Sequence, residues 1–287
     1  MISTGVGAGL LVMLCWGCSD FMLSIPIRKI GTLKSMLARN IMTIILTIPV
    51  AVYLFSADRM SVTLPGFFII LTSSFLFTLA YYFFMRGFEI GSLSVVSPIG
   101  GAYSAVTVFL ALVFLGESLS AMKLIAIVLM ISGILFTSTD IAKIKNIRSQ
   151  KGIKEALLAM IGFGVSMFIL GFVSKQMDSL TLFVYVTFTQ APFFIMLSLL
   201  KGGTLSRRDL NFKLSLILVI QPIIVNFGWF FYIYGISQDL VSVVTPISSL
   251  LPGVTVILAL IFYKEKLVNN QKLGILGILA GVYLISI

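Results

Sequence analysis

Histidine is absent from this sequence, cysteine occurs twice, and only ten of 287 residues are acidic. Each scarcity removes a class of chemistry. Without histidine there is no His-x-x-His metal site and no Ser-His dyad, and a single deep aspartate cannot build a paired-carboxylate protease. Cys15 and Cys18 both fall in the first apolar run. A bridge between residues three apart on a helix would be strained and would close almost no loop, so the pair reads as helix packing and not as a redox motif. No glycine-rich loop with a lysine is present to cradle phosphates, which argues against ATP as a direct energy source and leaves no cofactor to expect. Charged residues make up only 10% of the chain.

What fills the chain is apolar: 59% hydrophobic residues and a mean hydropathy of +1.13, beyond what a water-soluble core could bury. Ten runs centred near residues 15, 44, 74, 104, 130, 164, 190, 223, 252 and 279 are each long enough to cross a hydrocarbon layer of about 30 Å as a helix. They are continuously apolar and not alternating, which excludes barrel strands. The first run continues to about Ile25 with no A-x-A-like cleavage site and reads as a span. The expectation is an all-α integral membrane protein of ten transmembrane helices. The formal charge of +10 then belongs to loops facing lipid headgroups, and no nucleic-acid partner is expected.

The chain is also a duplication. Sliding it by 148 residues pairs Gly87–Leu135 with Gly235–Tyr283 without a gap and gives 17 identities in 49 positions, more than shared greasiness supplies. Ser94-Val95-Val96-Ser97-Pro98 recurs as Ser242-Val243-Val244-Thr245-Pro246, and Glu117-x-Leu119 recurs as Glu265-x-Leu267. We divide the chain into a first five-helix repeat over 1–140, a basic linker over 141–153 and a second repeat over 154–287. Five is odd, so the second repeat enters the membrane from the opposite side. Exchange of conformation between inverted halves turns a cavity open to one side into one open to the other.

These residues resemble the ten-helix EamA-like branch of the drug/metabolite transporter superfamily. The resemblance rests on Trp16-Gly17, Arg39, the block from Pro98 to Gly116-Glu117-x-Leu119, and its echo from Pro246 through Glu265 to Gly274 and Gly281. It implies a carrier for metabolites, amino acids or drug-like solutes, often an exporter in the plasma or inner membrane, with a central cavity lined by both halves. The sequence departs from the pattern at Lys264, where the second block usually has glycine, and at Cys18-Ser19-Asp20, where small neutral residues are usual.

Asp20 is the one acidic residue well inside a span, and Arg39 lies early in the next. Counted from a loop after Ile25, the two stand at similar depth and are expected to form an ion pair. Intramembrane charges line polar cavities or pair with one another. Two readings stand: a static counter-ion for a snorkelling arginine, or a part in substrate or proton coupling. Gln190, Gln221 and Asn226 are polar at mid-span depth. Pro98 and Pro246 break equivalent helices beside Ser97 and Thr245, where freed carbonyls could accept from a ligand. Further kinks are expected at Pro192 and Pro222. Trp16, Tyr103 and Trp229 complete the expected lining as rings, against the alternative of interfacial belts. Glu117 and Glu265 are expected to end their helices or pair with Lys123, Lys264 or Lys266. Gly5, Gly9, Gly133, Gly277 and Gly281 offer close helix contact, within one chain or between two, so both monomer and homodimer stay open.

Sixteen of the twenty Lys and Arg residues fall in loops after odd-numbered spans. The positive-inside rule puts that face in the cytoplasm and both termini outside, whereas the resemblance implies cytoplasmic termini. The functional expectation is a secondary carrier for a small solute. The rivals are a channel, which needs a longer polar lining than the spans offer, and a non-transporting scaffold.

Overall fold

The computed structural model describes residues 3–90, 96, 99–138, 152–206, 211–263 and 269–286. Among these every regular element is a helix. The first half contains α1 (Thr4–Ile30), α2 (Thr32–Ser56), α3 (Leu64–Ile90), α4 (Tyr103–Phe114) and α5 (Ala121–Ser138). The second contains α6 (Ile153–Ser174), α7 (Ser179–Leu200), α8 (Phe212–Gln238), the pair α9 (Val241–Ser248) and α10 (Leu251–Tyr263), and α11 (Asn269–Ser286). Six helices are long and apolar enough to span on those grounds alone: α1, α2, α3, α6, α7 and α8. Four shorter apolar helical segments complete the ten, at 99–114, 121–133, 241–254 and 272–284. Phe55, Phe109, Phe114 and Leu200 are exposed on the outside, as a lipid-facing belt requires.

Packing between the halves follows a pseudo-two-fold rule. Helix α1 lies on α8 as α3 lies on α6, α2 on α8 as α3 on α7, and α1 on α9 and α10 as α4 on α6. Three further pairs are their own mirror images: α2 with α7, α4 with α9, and α5 with α11. With five crossings per half, this axis lies in the membrane plane, and the repeats are inverted.

Glycines hold the symmetric crossings close. A Cβ on Gly133 would meet the Gly274 carbonyl at 2.8 Å and the Ile278 side chain, while one on Gly281, 148 residues on, would meet the Ala126 carbonyl at 2.7 Å and the Met130 side chain. Gly17 sits against Val254 and the Leu251 carbonyl as Gly164 sits against Val106 and the Tyr103 carbonyl. The open choice for these glycines resolves to contacts within one chain, where absent side chains let backbones approach.

The fourth and ninth spans break at matching registers. Residues 99–101 are helical, Ala102 is a turn, and α4 follows, while Ser249 and Leu250 separate α9 from α10. Pro246 lies inside α9, just before its break. Pro192 and Pro222 lie inside helices that continue past them. Between α1 and α2 the turn is Gly31 alone, at φ +86°, a conformation that glycine adopts without a steric cost.

Candidate functional site

The middle of the molecule is aromatic. Trp16 from α1 meets Trp229 of α8 edge-on at 5.1 Å and Tyr232 at 5.5 Å. Phe77 of α3 meets Trp229 at 5.0 Å, and Tyr103 of α4 lies 6.0 Å from Phe163 of α6. Trp16, Tyr103 and Trp229 are therefore interior rings contributed by both halves, not members of an interfacial belt.

In this interior several buried polar atoms lack partners among the described residues. The Trp16 Nε1, Arg39 Nε and Gln221 Oε1 are buried and accept or donate no hydrogen bond among the described residues, and the buried Tyr103 hydroxyl stands within reach of Ser248. The other end of the Gln221 amide donates to the Ser19 hydroxyl at 2.7 Å. A structure that only needed to pack would not leave such atoms unpaired by the chain, because each unmade bond costs about 1–3 kcal/mol.

Arg39, Asn40 and Thr43 of α2 face Thr187 and Gln190 of α7 and Asn226 and Trp229 of α8 across a cleft of about 10 Å³, room for roughly one water molecule. This cleft sits where the self-mirrored helices α2 and α7 cross. Arg39, Gln190, Asn226 and Trp229 were readable as intramembrane polar or aromatic residues, and the fold brings them together. Asn40, Thr43 and Thr187 were not singled out from sequence. Thr187 stands 148 residues from Arg39, a signal that extending the repeat register into the second span would have supplied.

The expected ion pair does not form. Arg39 Nη1 donates to the Tyr81 hydroxyl at 3.1 Å, and its guanidinium lies 5.4 Å from the centroid of the same ring. The Asp20 carboxylate makes no hydrogen bond or salt bridge among the described residues, although it stands within electrostatic reach of Arg39, Tyr81 and Tyr103. The reason is helix length. Helix α1 runs through Pro26 to Ile30 and turns on one residue, so Asp20 lies ten residues from its end while Arg39 lies seven into α2. That offset of three residues is about 4.5 Å in depth.

The hydroxyls at the ninth-span break are also engaged. Thr245 shares a 2.9 Å hydrogen bond with Tyr232, Ser248 donates to the Thr245 carbonyl at 2.8 Å, and Ser249 donates to the Pro246 carbonyl at 2.8 Å and to Ser104 at 3.0 Å. Thr245 and Pro246 thus build the break, and its Thr245 and Pro246 carbonyls are occupied by the chain itself. The expectation for Ser97 and Pro98 falls outside the described residues.

Glu117 departs from the lysine pairing expected of it. Its carboxylate accepts from the Val241 amide at 2.9 Å, the Ser242 amide at 3.0 Å and the Ser242 hydroxyl, capping α9 of the opposite half. The cap satisfies first-turn donors that a helix leaves unpaired. Ser3 donates to Asp239 at 2.7 Å, Lys175 Nζ donates to the Asp239 carbonyl at 2.6 Å, and Arg59 pairs with Asp178 at 2.9 Å. Burial pushes the Lys175 ammonium below its ordinary value, against the pull of Glu117 and Asp239. All these groups belong to the face that carries the amino terminus.

The opposite, basic face is different. There a vestibule of about 330 Å³ opens between Thr32, Leu33 and Met36 of α2, Tyr82, Met85 and Arg86 of α3, and Lys201 after α7. Met36 lies one turn from the Arg39 and Asn40 that line the inner cleft.

A solved crystal structure matches this fold with a TM-score of 0.80 at 11% identity, over 99% of this chain and 96% of that one. At that identity the likeness is one of fold. Among curated proteins, the uncharacterized protein MJ1333.1 of Methanocaldococcus jannaschii is 36% identical over 69 residues, 24% of this chain. The matched stretch spans about half the length of that relative, 50%. A sequence profile of the EamA-like transporter family matches residues 3–139 and again 150–287. With both halves matched, the chain belongs to the EamA-like transporter family and is a multi-pass, transporter-like membrane protein.

Proposed function

We propose that the chain is a secondary carrier that moves a small polar or amphipathic metabolite, such as an amino acid or drug-like solute, by alternating access between its inverted repeats. The observation that carries this reading is the cleft lined by buried polar side chains of both halves, Arg39 with an unpartnered Nε among them, beside an aromatic cage where the self-mirrored helices α2 and α7 cross. A cleft of about 10 Å³ is too small for such a solute, so binding must part α2 from α7 and α8. The rings supply apolar contact, and Arg39, Asn40, Gln190, Gln221 and Asn226 supply the few directional groups that a ligand site needs.

Asp20 is the candidate for coupling. A carboxylate inside a span without a hydrogen-bond partner is costly when ionised, so protonation there is tied to what else occupies the cavity. The reading places the basic face in the cytoplasm of a plasma or inner membrane, following the charge rule. It takes a single chain as the working unit, because both halves of the cavity lie in one chain.

The test is thermal stabilisation of the purified protein by a panel of amino acids and small metabolites, repeated with Asp20→Asn and across pH. A stabilising solute whose effect vanishes in Asp20→Asn assigns the carboxylate to the site or its coupling. A solute effect that survives unchanged reduces Asp20 to a structural charge. A panel without a stabilising member, in a well-folded sample, overturns the carrier reading in favour of a scaffold.

A further inference from the structure

We propose that the vestibule on the basic face is a binding site for a phosphate or carboxylate anion, separate from the central cleft. Three independent features of the chain point there. The first is space: about 330 Å³ is within the range of small-ligand pockets and holds a phosphate with part of its organic substituent, whereas the central cleft holds about one water.

The second feature is charge. Arg86 and Lys201 both line the vestibule, and among the described residues no carboxylate does. Arg86 makes no ion pair or side-chain hydrogen bond among the described residues, and Lys201 stands 4.8 Å from the centroid of the Tyr82 ring. A cation–π contact holds the ammonium in place without neutralising it. Two cations around one cavity, with no acid between them among the described residues, favour an anion over a cation or a neutral solute.

The third feature is the helix terminus that forms one wall. Helix α2 has 25 residues and begins at Thr32, and Gly31 before it offers no side-chain cap. Its first-turn amides and the positive end of its dipole therefore face the vestibule, as at helix termini that bind phosphate. Thr32 itself is 8% exposed and lines the cavity. A hydroxyl beside an uncapped helix end and two cations is a donor set suited to acceptor oxygens. Arg86 supplies the planar fork that matches a phosphate or carboxylate, and Lys201 a point charge.

The same chemistry is offered by two sources. One is the headgroup phosphate of an anionic lipid, since the mouth opens at the face where the chain is most basic. The other is a free anion on its way to Arg39, in which case the vestibule is the entry station of the carrier proposed above. Binding is read without flux, so failure here is distinguishable from failure of the transport reading.

The experiment uses the full purified chain, the single variants Arg86→Gln and Lys201→Gln, the double variant, and Lys213→Gln as an exposed basic control on the same face. Native mass spectrometry compares retention of phosphatidylglycerol with phosphatidylcholine, and thermal shift is recorded with inorganic phosphate. Retention of phosphatidylglycerol over phosphatidylcholine that falls roughly 5-fold for each residue removed, with the control unchanged, assigns the site to lipid. Stabilisation by inorganic phosphate that is lost in the double variant, without lipid selectivity, assigns it to a free anion. The proposal is overturned if neither probe binds, if the double variant binds as the wild type does, or if Lys213→Gln lowers binding as much as the vestibule variants.

Discussion

The two faces of this membrane protein are built from equivalent helices yet are held in different ways. On the face of the amino terminus, contacts cross between the halves at Ser3 with Asp239, Arg59 with Asp178, and Glu117 with the first turn of α9. On the basic face the described residues leave a vestibule of about 330 Å³ between α2, α3 and the end of α7. In a protein made of inverted repeats, each face contains the counterpart of the other. On the carrier reading proposed above, the contacts on the amino-terminal face are the ones that hold it closed, and they are identifiable one at a time. They rank by how well each is shielded from water and how many bonds it makes.

The largest effect comes from refusing the first face permission to open. In a protein whose native Cys15 and Cys18 are replaced by alanine, Ser3→Cys with Asp239→Cys allows a disulfide where a 2.7 Å hydrogen bond now stands. Oxidation is expected to abolish solute flux in reconstituted vesicles, with recovery after reduction. Flux that persists with the bridge shown to be complete would remove alternating access from consideration.

Next in size is Glu117→Ala. The substitution deletes a carboxylate that satisfies two backbone amides and a hydroxyl across the halves. Charge-assisted bonds of this kind are worth about 1.5–3 kcal/mol each at most, and the loss is shared with water that can enter, so we expect a shift of about 2–3 kcal/mol towards opening. Such a shift changes the ratio of the two conformations roughly 30- to 150-fold. Labelling of Leu240→Cys by a membrane-impermeant thiol reagent, again without the native cysteines, should rise accordingly. An unchanged labelling rate would mean that Glu117 caps α9 without governing the face.

How much of this comparison can be read in the sequence depends on the range of the interaction. The spans follow from local hydropathy, and the duplication from register, down to Gly133 and Gly281 as counterparts at one crossing. The membership of Arg39, Gln190, Asn226 and Trp229 in one cleft follows from a rule that intramembrane polarity turns inward. The Asp20 to Arg39 pair fails because its argument needs the helix end to within one turn, and Pro26 does not stop α1 before Ile30. Glu117 is misread for a different reason. Lysines are its neighbours in sequence, but its partners lie 124 and 125 residues away, and only the fold brings an uncapped helix to it. The vestibule is invisible in sequence because no two of its three walls are adjacent in any pattern of spacing.

Arg59→Ala gives the smallest effect and sets the lower bound of the scale. Its ion pair with Asp178 is short, but the two side chains are 46% and 44% exposed, so water and salt screen it. Exposed pairs contribute about 0–1 kcal/mol. We therefore expect less than about a 5-fold change in Leu240→Cys labelling, shrinking further between low and high salt as the Debye length contracts. Asp178 has a second occupation that limits the loss, since it caps α7 through the Thr181 amide at 3.0 Å and the Thr181 hydroxyl at 3.0 Å. Asp178→Ala should accordingly exceed Arg59→Ala, and the excess should not depend on salt. If the two variants opened the face equally and both effects vanished at high salt, surface charge would be the closing force, and the ranking that places the shielded Glu117 cap first would be reversed.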